Sequence, residues 1–338
     1  MSDARYQCFE DYEVGQKGIT DARTVGEADI AGFAHIAEDY NTPHLNRHFM
    51  ASSIYGDTVA HGLLGSSLAV GMLSYVAPHI IGRGVPGAYL YSTEFNYRTG
   101  MKLGDTMETH WCISEKYDDE VHPGFGIVKT SYQMLNQAGL LIYDGILNTV
   151  VRNKANDNVE LKPQAQVSPH EVIEFIAEPG RVYYAEDYIV GTGGVTDGRT
   201  ITETDIVNYA GLTGDFNPQY VDAEFARQSI YGERIAHPTL AFSIAYGLWL
   251  HAWHRFPLPA NKRTTAGHLG DTATFLAPVK IGDTVRNRWN IINNRFSKSR
   301  PELGIITFGL QVINQRNEIV IDGTTSMMVG SKSLAAES

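Results

Sequence analysis

Hydrophobic and polar positions change period twice along this chain, and then do so again in the same order. From Ala28 to Ala37, and once more from Glu203 to Leu212, apolar residues fall at helical spacing, which predicts two short amphipathic helices. Each is followed by a polar loop carrying Asp and Asn, another short helix, and then a longer helix rich in small and apolar residues, His61 to Val76 and His237 to Trp253. After the first long helix the period falls to that of strands. Thr106 to Ser114, Gly126 to Leu135 and Leu140 to Val151 alternate, with Asn136-Gln137-Ala138-Gly139 as a turn. Helix first and antiparallel meander second is an α+β unit, with a sheet around one long helix.

The recurrence is an internal repeat. Asp11-Tyr12-Glu13-Val14-Gly15 returns as Asp187-Tyr188-Ile189-Val190-Gly191, and Ala60-His61 returns as Ala236-His237, both at a shift of 176. About 26 of the 61 positions from 11 to 71 are identical in the second copy without a gap. Further on the shift is 178, matching Gly104-Asp105-Thr106 to Gly282-Asp283-Thr284 and Trp111 to Trp289. The expected organisation is therefore a first copy over 1–152, a connection over 153–186 that holds Pro163, Pro169 and Pro179, and a second copy over 187–338.

Bulk properties narrow the class. With 43% apolar residues the chain can bury its own core. The run from Leu63 to Ile81 is interrupted by Gly65, Ser66, Ser67, Gly71, Ser74, Pro78 and His79, which predicts a buried helix rather than a membrane span. No secretory signal pattern is present at Met1, and Cys8 and Cys112 are too few for a disulfide framework, so a soluble cytoplasmic protein is expected. A net charge of −11 argues against nucleic acid as a partner.

Several local patterns carry no cofactor chemistry. His44 and His48 have i, i+4 spacing but lack a third ligand in register, so no metal is expected. Gly191-Thr192-Gly193-Gly194 lacks the Lys-Ser/Thr ending of a phosphate loop and reads as a turn, so no nucleotide cofactor is expected either. Arg83, Arg98, Lys102, Lys262, Arg263, Lys298 and Arg300 are candidate phosphate contacts, each of which defaults to a solvated surface charge.

One constellation does carry chemistry. The second copy reads Gly214-Asp215-Phe216-Asn217-Pro218 and then Ala236-His237, while the first reads Glu38-Asp39-Tyr40-Asn41-Thr42-Pro43-His44 and then Ala60-His61-Gly62. These segments, with Thr274-Phe275-Leu276-Ala277-Pro278-Val279-Lys280-Ile281-Gly282-Asp283-Thr284, resemble the MaoC-like (R)-specific enoyl-CoA hydratases, whose motif is Gly-Asp-x-Asn-Pro-x-His followed by Ala-His-Gly. The resemblance covers both halves and implies a double hot-dog fold, an acyl-CoA substrate, a homodimer or higher homo-oligomer, and no cofactor. It implies an Asp–His dyad that activates a water for the β-carbon of the thioester. It also implies a backbone N–H at the start of the long helix that polarises the thioester carbonyl. Such a base is worth about 10² to 10⁴ in rate, and a helix N-terminus is a preorganised donor for the developing enolate.

The copies differ where that chemistry would sit. The first keeps Asp39, His44 and Gly62; in the second the His position is Tyr220 and the Gly position is Pro238, which has no N–H. Catalysis is therefore expected in the first copy, with Asp39 and His44 catalytic and the Gly62 N–H as oxyanion donor. Asn41 and His61 are supporting residues; they persist as Asn217 and His237, which favours structural roles. Glu38 replaces the family's Gly and Thr42 displaces Pro43 by one position, so the loop is expected to differ. An extra carboxylate at Glu38 would either repel Asp39 or face solvent. The resulting expectation is a hydro-lyase that adds water to a 2-enoyl-CoA or removes it from a 3-hydroxyacyl-CoA. Within the family the two-copy architecture is similar to the mesaconyl-CoA hydratase (β-methylmalyl-CoA dehydratase) group, which implies a short branched or dicarboxylic chain. An acyl-CoA thioesterase and a non-catalytic acyl-CoA-binding protein are the alternatives.

Overall fold

The computed structural model describes residues 7–85, 88–155, 167–178, 181–253 and 267–335. In the first copy two short strands, β1 (Lys17–Ile19) and β2 (Arg23–Thr24), precede helices α1 (Glu27–Ala37), α2 (Thr42–Leu45), α3 (Arg47–Met50) and α4 (Gly62–Val76). The strands β3 (Tyr89–Tyr97), β4 (Thr106–Asp118), β5 (Phe125–Asn136) and β6 (Leu141–Arg152) complete it. The second copy repeats the order after an extra strand β7 (Ile173–Glu174): β8 (Thr192–Val195), β9 (Arg199–Thr200), α5 (Glu203–Thr213), α6 (Pro218–Val221), α7 (Ala223–Arg227), α8 (Pro238–Trp253), β10 (Gly267–Phe275), β11 (Thr284–Phe296), β12 (Leu303–Ile313) and β13 (Ile319–Gly330). The short 3₁₀ turn Phe9–Asp11 recurs as Ala185–Asp187. Strand β7 pairs in parallel with β8, so residues between the copies extend the second copy's sheet.

Among the described residues the strands form one sheet in the order β1-β4-β5-β6-β3-β10-β13-β12-β11-β8-β7. Its seam is antiparallel pairing of β3 with β10, Ser92–Asn96 against Gly270–Thr274. Each copy thus contributes an antiparallel meander, and the meanders meet edge to edge, so neither of these two inner edges is left open.

The long helices α4 and α8 are apolar all round because both are buried on nearly every side. Glycine permits the closest contacts between copies. A Cβ on Gly71 of α4 would stand 2.0 Å from the Thr213 carbonyl oxygen at the end of α5, and one on Gly247 of α8 would stand 1.6 Å from that of Ala37 at the end of α1. The Tyr209 hydroxyl ties the two long helices together, 2.7 Å from Ser67 Oγ and 2.8 Å from Thr239 Oγ1. No helix among the described residues is long and apolar enough to cross a membrane.

Candidate active site

The chain after α1 must turn sharply to bring Asp39 inward, and it does so through a left-handed residue. Glu38 has φ 59°, and its counterpart Gly214 has φ 83°. Glycine enters that region freely, whereas a side chain there costs about 1 kcal/mol. The Glu38 carboxylate neither crowds Asp39 nor is left to solvent alone: it pairs with Arg199 of the second copy at 3.1 Å, while its backbone carbonyl accepts from His251 at 2.8 Å. The displaced proline is also accommodated. Pro43 occupies the second position of α2 where Pro218 occupies the first of α6, and neither position needs an N–H.

Asp39 is 4% exposed, and one carboxylate oxygen accepts from the Asn41 backbone N–H at 3.2 Å. His44 Nδ1 lies 2.7 Å from the Val59 carbonyl. A carbonyl only accepts, so Nδ1 carries the proton and the lone pair of Nε2 faces Asp39 Oδ2 at 3.9 Å. That gap is too long for a direct hydrogen bond, yet two ordinary bonds to a single water oxygen span it. Burial pushes the His44 imidazole below its usual range, with the Asp39 charge acting in the opposite direction.

His61 is buried beneath this pair. Its Nε2 donates to the Asp39 carbonyl at 2.9 Å, its ring stacks on His44 at 3.8 Å between centroids, and its Nδ1 has no hydrogen-bond partner. Burial, followed by the neighbouring His44, pushes it down to about 3. Asp39, His44 and His61 hold potential metal ligand atoms within 4.8 Å of one another.

Gly62 opens α4, where the first N–H groups have no partner within the helix. Asp39, Asn41, His44, His61 and Gly62 all line one cavity of about 150 Å³. The Asn41 side chain makes no capping bond, whereas Asn217 caps α6 through the Gln219 N–H. Of the candidate phosphate contacts, Arg98 lines the same cavity and pairs with Asp144, Lys102 donates to the Tyr55 carbonyl, Arg83 donates to the Ser74 carbonyl, and Arg300 pairs with Glu302. Lys262 and Arg263 lie outside the described residues.

The second copy keeps the scaffold and rearranges the reactive groups. His237 Nε2 donates to the Asp215 carbonyl at 2.9 Å, and Tyr220 stacks on His237 at 4.0 Å, where the first copy has His44 on His61. Asp215 is taken by Ser74 of α4, whose Oγ donates at 2.6 Å; at the position equivalent to Ser74 the second copy has Leu250.

The first cavity also contains residues that the motif does not reveal. Tyr97, Tyr143, Tyr246 and His268 line it, and two of these belong to the second copy. His268 Nε2 lies 2.8 Å from Asp271, which in turn accepts from the Tyr97 hydroxyl at 2.5 Å.

This tandem pairing of a long buried helix with an antiparallel meander is the double hot-dog architecture. A model of the MaoC like domain matches residues 11–111 and 190–307, and the chain belongs to that family. It is 33% identical over 115 residues to a 3-hydroxybutyryl-CoA dehydratase of Methylorubrum extorquens, a match spanning 34% of this chain and 69% of that protein. It is 38% identical over 133 residues to an (R)-specific enoyl-CoA hydratase of Aeromonas caviae, spanning 39% of this chain and 90% of the relative. In fold, a MaoC domain protein dehydratase from Chloroflexus aurantiacus superimposes with a TM-score of 0.72 at 17% identity, covering 98% of this chain and 99% of that one. A Mycobacterium tuberculosis protein with a double hotdog fold superimposes with a TM-score of 0.71 at 13% identity, covering 96% and 98%.

Proposed function

We propose that the first copy catalyses the reversible hydration of a 2-enoyl-CoA to a 3-hydroxyacyl-CoA. The observation that carries this reading is the disposition of His44 Nε2 and Asp39 Oδ2, 3.9 Å apart, the carboxylate buried and the imidazole half-buried, with the imidazole tautomer set by Val59. A water held between them loses a proton to the dyad as its oxygen adds to the β-carbon, a step in which a positioned base contributes about 10² to 10⁴. The Gly62 N–H, at the positive end of α4, takes the negative charge that develops on the thioester oxygen. Return of that proton from the dyad to the α-carbon completes hydration and restores the free base, and the reverse sequence is dehydration. His61 acts through Asp39 and His44 by fixing the loop, since the same bond recurs in the second copy at His237.

Relatives named as a 3-hydroxybutyryl-CoA dehydratase and as an (R)-specific enoyl-CoA hydratase support this class of reaction. The small cavity supports a short acyl chain, and a branched or dicarboxylic chain such as mesaconyl is the finer reading. A thioesterase would use the same water against the carbonyl carbon, and an acyl-CoA-binding protein would use none. Incubation with crotonyl-CoA and mesaconyl-CoA, following enoyl-thioester absorbance and free thiol together, decides among them. Loss of absorbance without thiol is the expected result; thiol release, or no change with either substrate, overturns the hydratase reading.

A further inference from the structure

Among the described residues, two cavities occupy equivalent places in the two copies, and their walls differ in character. The shift of 176 or 178 that aligns the copies pairs four polar wall residues of the first cavity with apolar residues, while Asn41 and Tyr55 keep their kind as Asn217 and Tyr231. His268 corresponds to Leu90, Tyr97 to Phe275, Tyr143 to Ile321, and Tyr246 to Val70. Leu90, Phe275 and Ile321 do line the second cavity, of about 320 Å³, alongside Tyr220 and Pro238. The polar set thus accompanies Asp39 and His44, although His268 and Tyr246 come from the other half of the chain. Packing alone does not require this, because the same fold builds the equivalent wall with Leu90, Phe275 and Ile321.

The polar wall is also held in a defined orientation. Asp271, 2% exposed, is bonded on both oxygens: Oδ1 to His268 Nε2 at 2.8 Å and Oδ2 to the Tyr97 hydroxyl at 2.5 Å. Ser66 of α4 in turn reaches the Tyr97 hydroxyl at 3.2 Å. A carboxylate accepts, so Nε2 of His268 carries a proton and Nδ1 is left toward Gly62, 2.9 Å from where a Cβ at that position would stand. The Tyr246 ring stacks on His268 at 15°, and its hydroxyl lies 3.4 Å from Nδ1 and 3.7 Å from Met327 Sδ. Both contacts are long, and the Thr325 hydroxyl lies within reach of both side chains, so a phenolic donor and an imidazole acceptor stand side by side in only weak protein bonds that a ligand oxygen can replace. An alkyl chain placed there would desolvate both without replacing their hydrogen bonds.

Resting on the hydratase reading above, we infer that His268 and Tyr246, contributed by the second copy, form a subsite for an oxygen-bearing substituent on the acyl chain. The preferred thioester then carries a hydroxyl or carboxyl group on a short chain rather than a plain alkyl end. Asp271 is the positioning residue that orients His268. A hydroxyl accepts from Tyr246 and donates to Nδ1, whereas a carboxylate oxygen accepts the Tyr246 bond.

Three unreactive thioesters of equal chain length test this: butyryl-CoA, 4-hydroxybutyryl-CoA and succinyl-CoA, titrated calorimetrically into the full chain and into His268→Leu and Tyr246→Phe. His268→Leu installs the residue that the second cavity carries, and Tyr246→Phe keeps the stacked ring while removing only the hydroxyl. The full chain is expected to bind at least one oxygen-bearing thioester about tenfold or more tighter than butyryl-CoA. Which of the two wins tells a hydroxyl from a carboxylate. That ratio falls to about one in His268→Leu and drops severalfold in Tyr246→Phe. Equal or tighter binding of butyryl-CoA by the unmodified chain, or a ratio that survives both substitutions, overturns the subsite. Hydration of crotonyl-CoA is scored separately. Its absence sinks the hydratase reading, while the binding ratio continues to report on the subsite.

Discussion

Nε2 of His44 stands 3.9 Å from Oδ2 of Asp39, beside the start of the long helix α4, whose first residue, Gly62, keeps its N–H. In the second copy the equivalent carboxylate, Asp215, is bonded to Ser74 and the equivalent ring belongs to Tyr220. Replacing Asp39 by Asn, or His44 by Ala, is expected to lower kcat/KM for enoyl-CoA hydration by about 10² to 10⁴. Asp215→Asn should change it less than about threefold, its effect falling on stability instead. Comparable kinetic losses at Asp39 and Asp215 would place the reaction in both copies or in neither.

The acid limb of activity follows from the His44 environment. The base must be neutral, and burial holds its pKa below the ordinary histidine value of about 6.5. Activity is therefore expected to stay level as pH falls from 8 to about 6.5 and to decline only below that. A pH profile of kcat/KM whose acid midpoint lies above 7 would contradict the buried, neutral imidazole.

Stability should share the same direction. His44, His61 and His237 are each lowered by burial in the folded chain, His61 to about 3, whereas the unfolded chain binds their protons near 6.5. The unfolded state takes up more protons between those values, so this stabilisation is complete above about pH 6.5 and is lost progressively as pH falls toward 3. Urea midpoints measured from pH 8 to pH 4 are expected to be flat at first and then to drop, and a rise on acidification would refute the assignment.

Gly62 leaves the mouth of the helix open. A Cβ there would lie 2.9 Å from both His268 and the Tyr97 ring. Gly62→Ala retains the N–H, but its Cβ presses on two held rings, so the variant is expected to fold with a lowered thermal midpoint. Occupation of the cavity is also expected to reduce kcat/KM at least about tenfold. Near-native kinetics would show that the acyl group does not approach this residue.

The helices of the two copies meet with no space for an added methyl group. Gly71→Ala and Gly247→Ala each drive a Cβ into a main-chain oxygen, at 2.0 and 1.6 Å. Each is expected to destabilise the chain by about 2–3 kcal/mol through displacement of one copy's helix from the other. Thermal unfolding of the two variants measures it, and an unchanged midpoint would mean that the copies separate at little cost.

Much of this was legible in the residues because the signals were local or repeated. Helical spacing placed α1 and α5, and alternation placed β4, β5 and β6; the structure extends β4 to Asp118, adds one residue at each end of β5 and shifts β6 by one, to Leu141–Arg152. Asp39, His44 and Gly62 were legible through a motif confined to one stretch of chain. His268, Asp271 and Tyr246 were not, because a motif lists neighbours in sequence while the cavity recruits from β10 and α8, which reach it only through the β3–β10 seam and the packing of the long helices. A signal did exist: His268 stands where the first copy has Leu90, a polar-for-apolar exchange visible once the copies are aligned. Glu38 was readable as an exception to the family's Gly, but its partner Arg199 lies across the copy boundary and no local rule points to it.

The pairing of β3 with β10 has an evolutionary consequence. Because each cleft borrows part of its lining from the opposite half, an assembly of two identical subunits would have to carry any new side chain in both clefts at once. Joining the halves in one polypeptide removes that constraint: a histidine at 268 can face one cleft while leucine at 90 faces the other, so each chamber can drift toward its own chemistry without spoiling its twin.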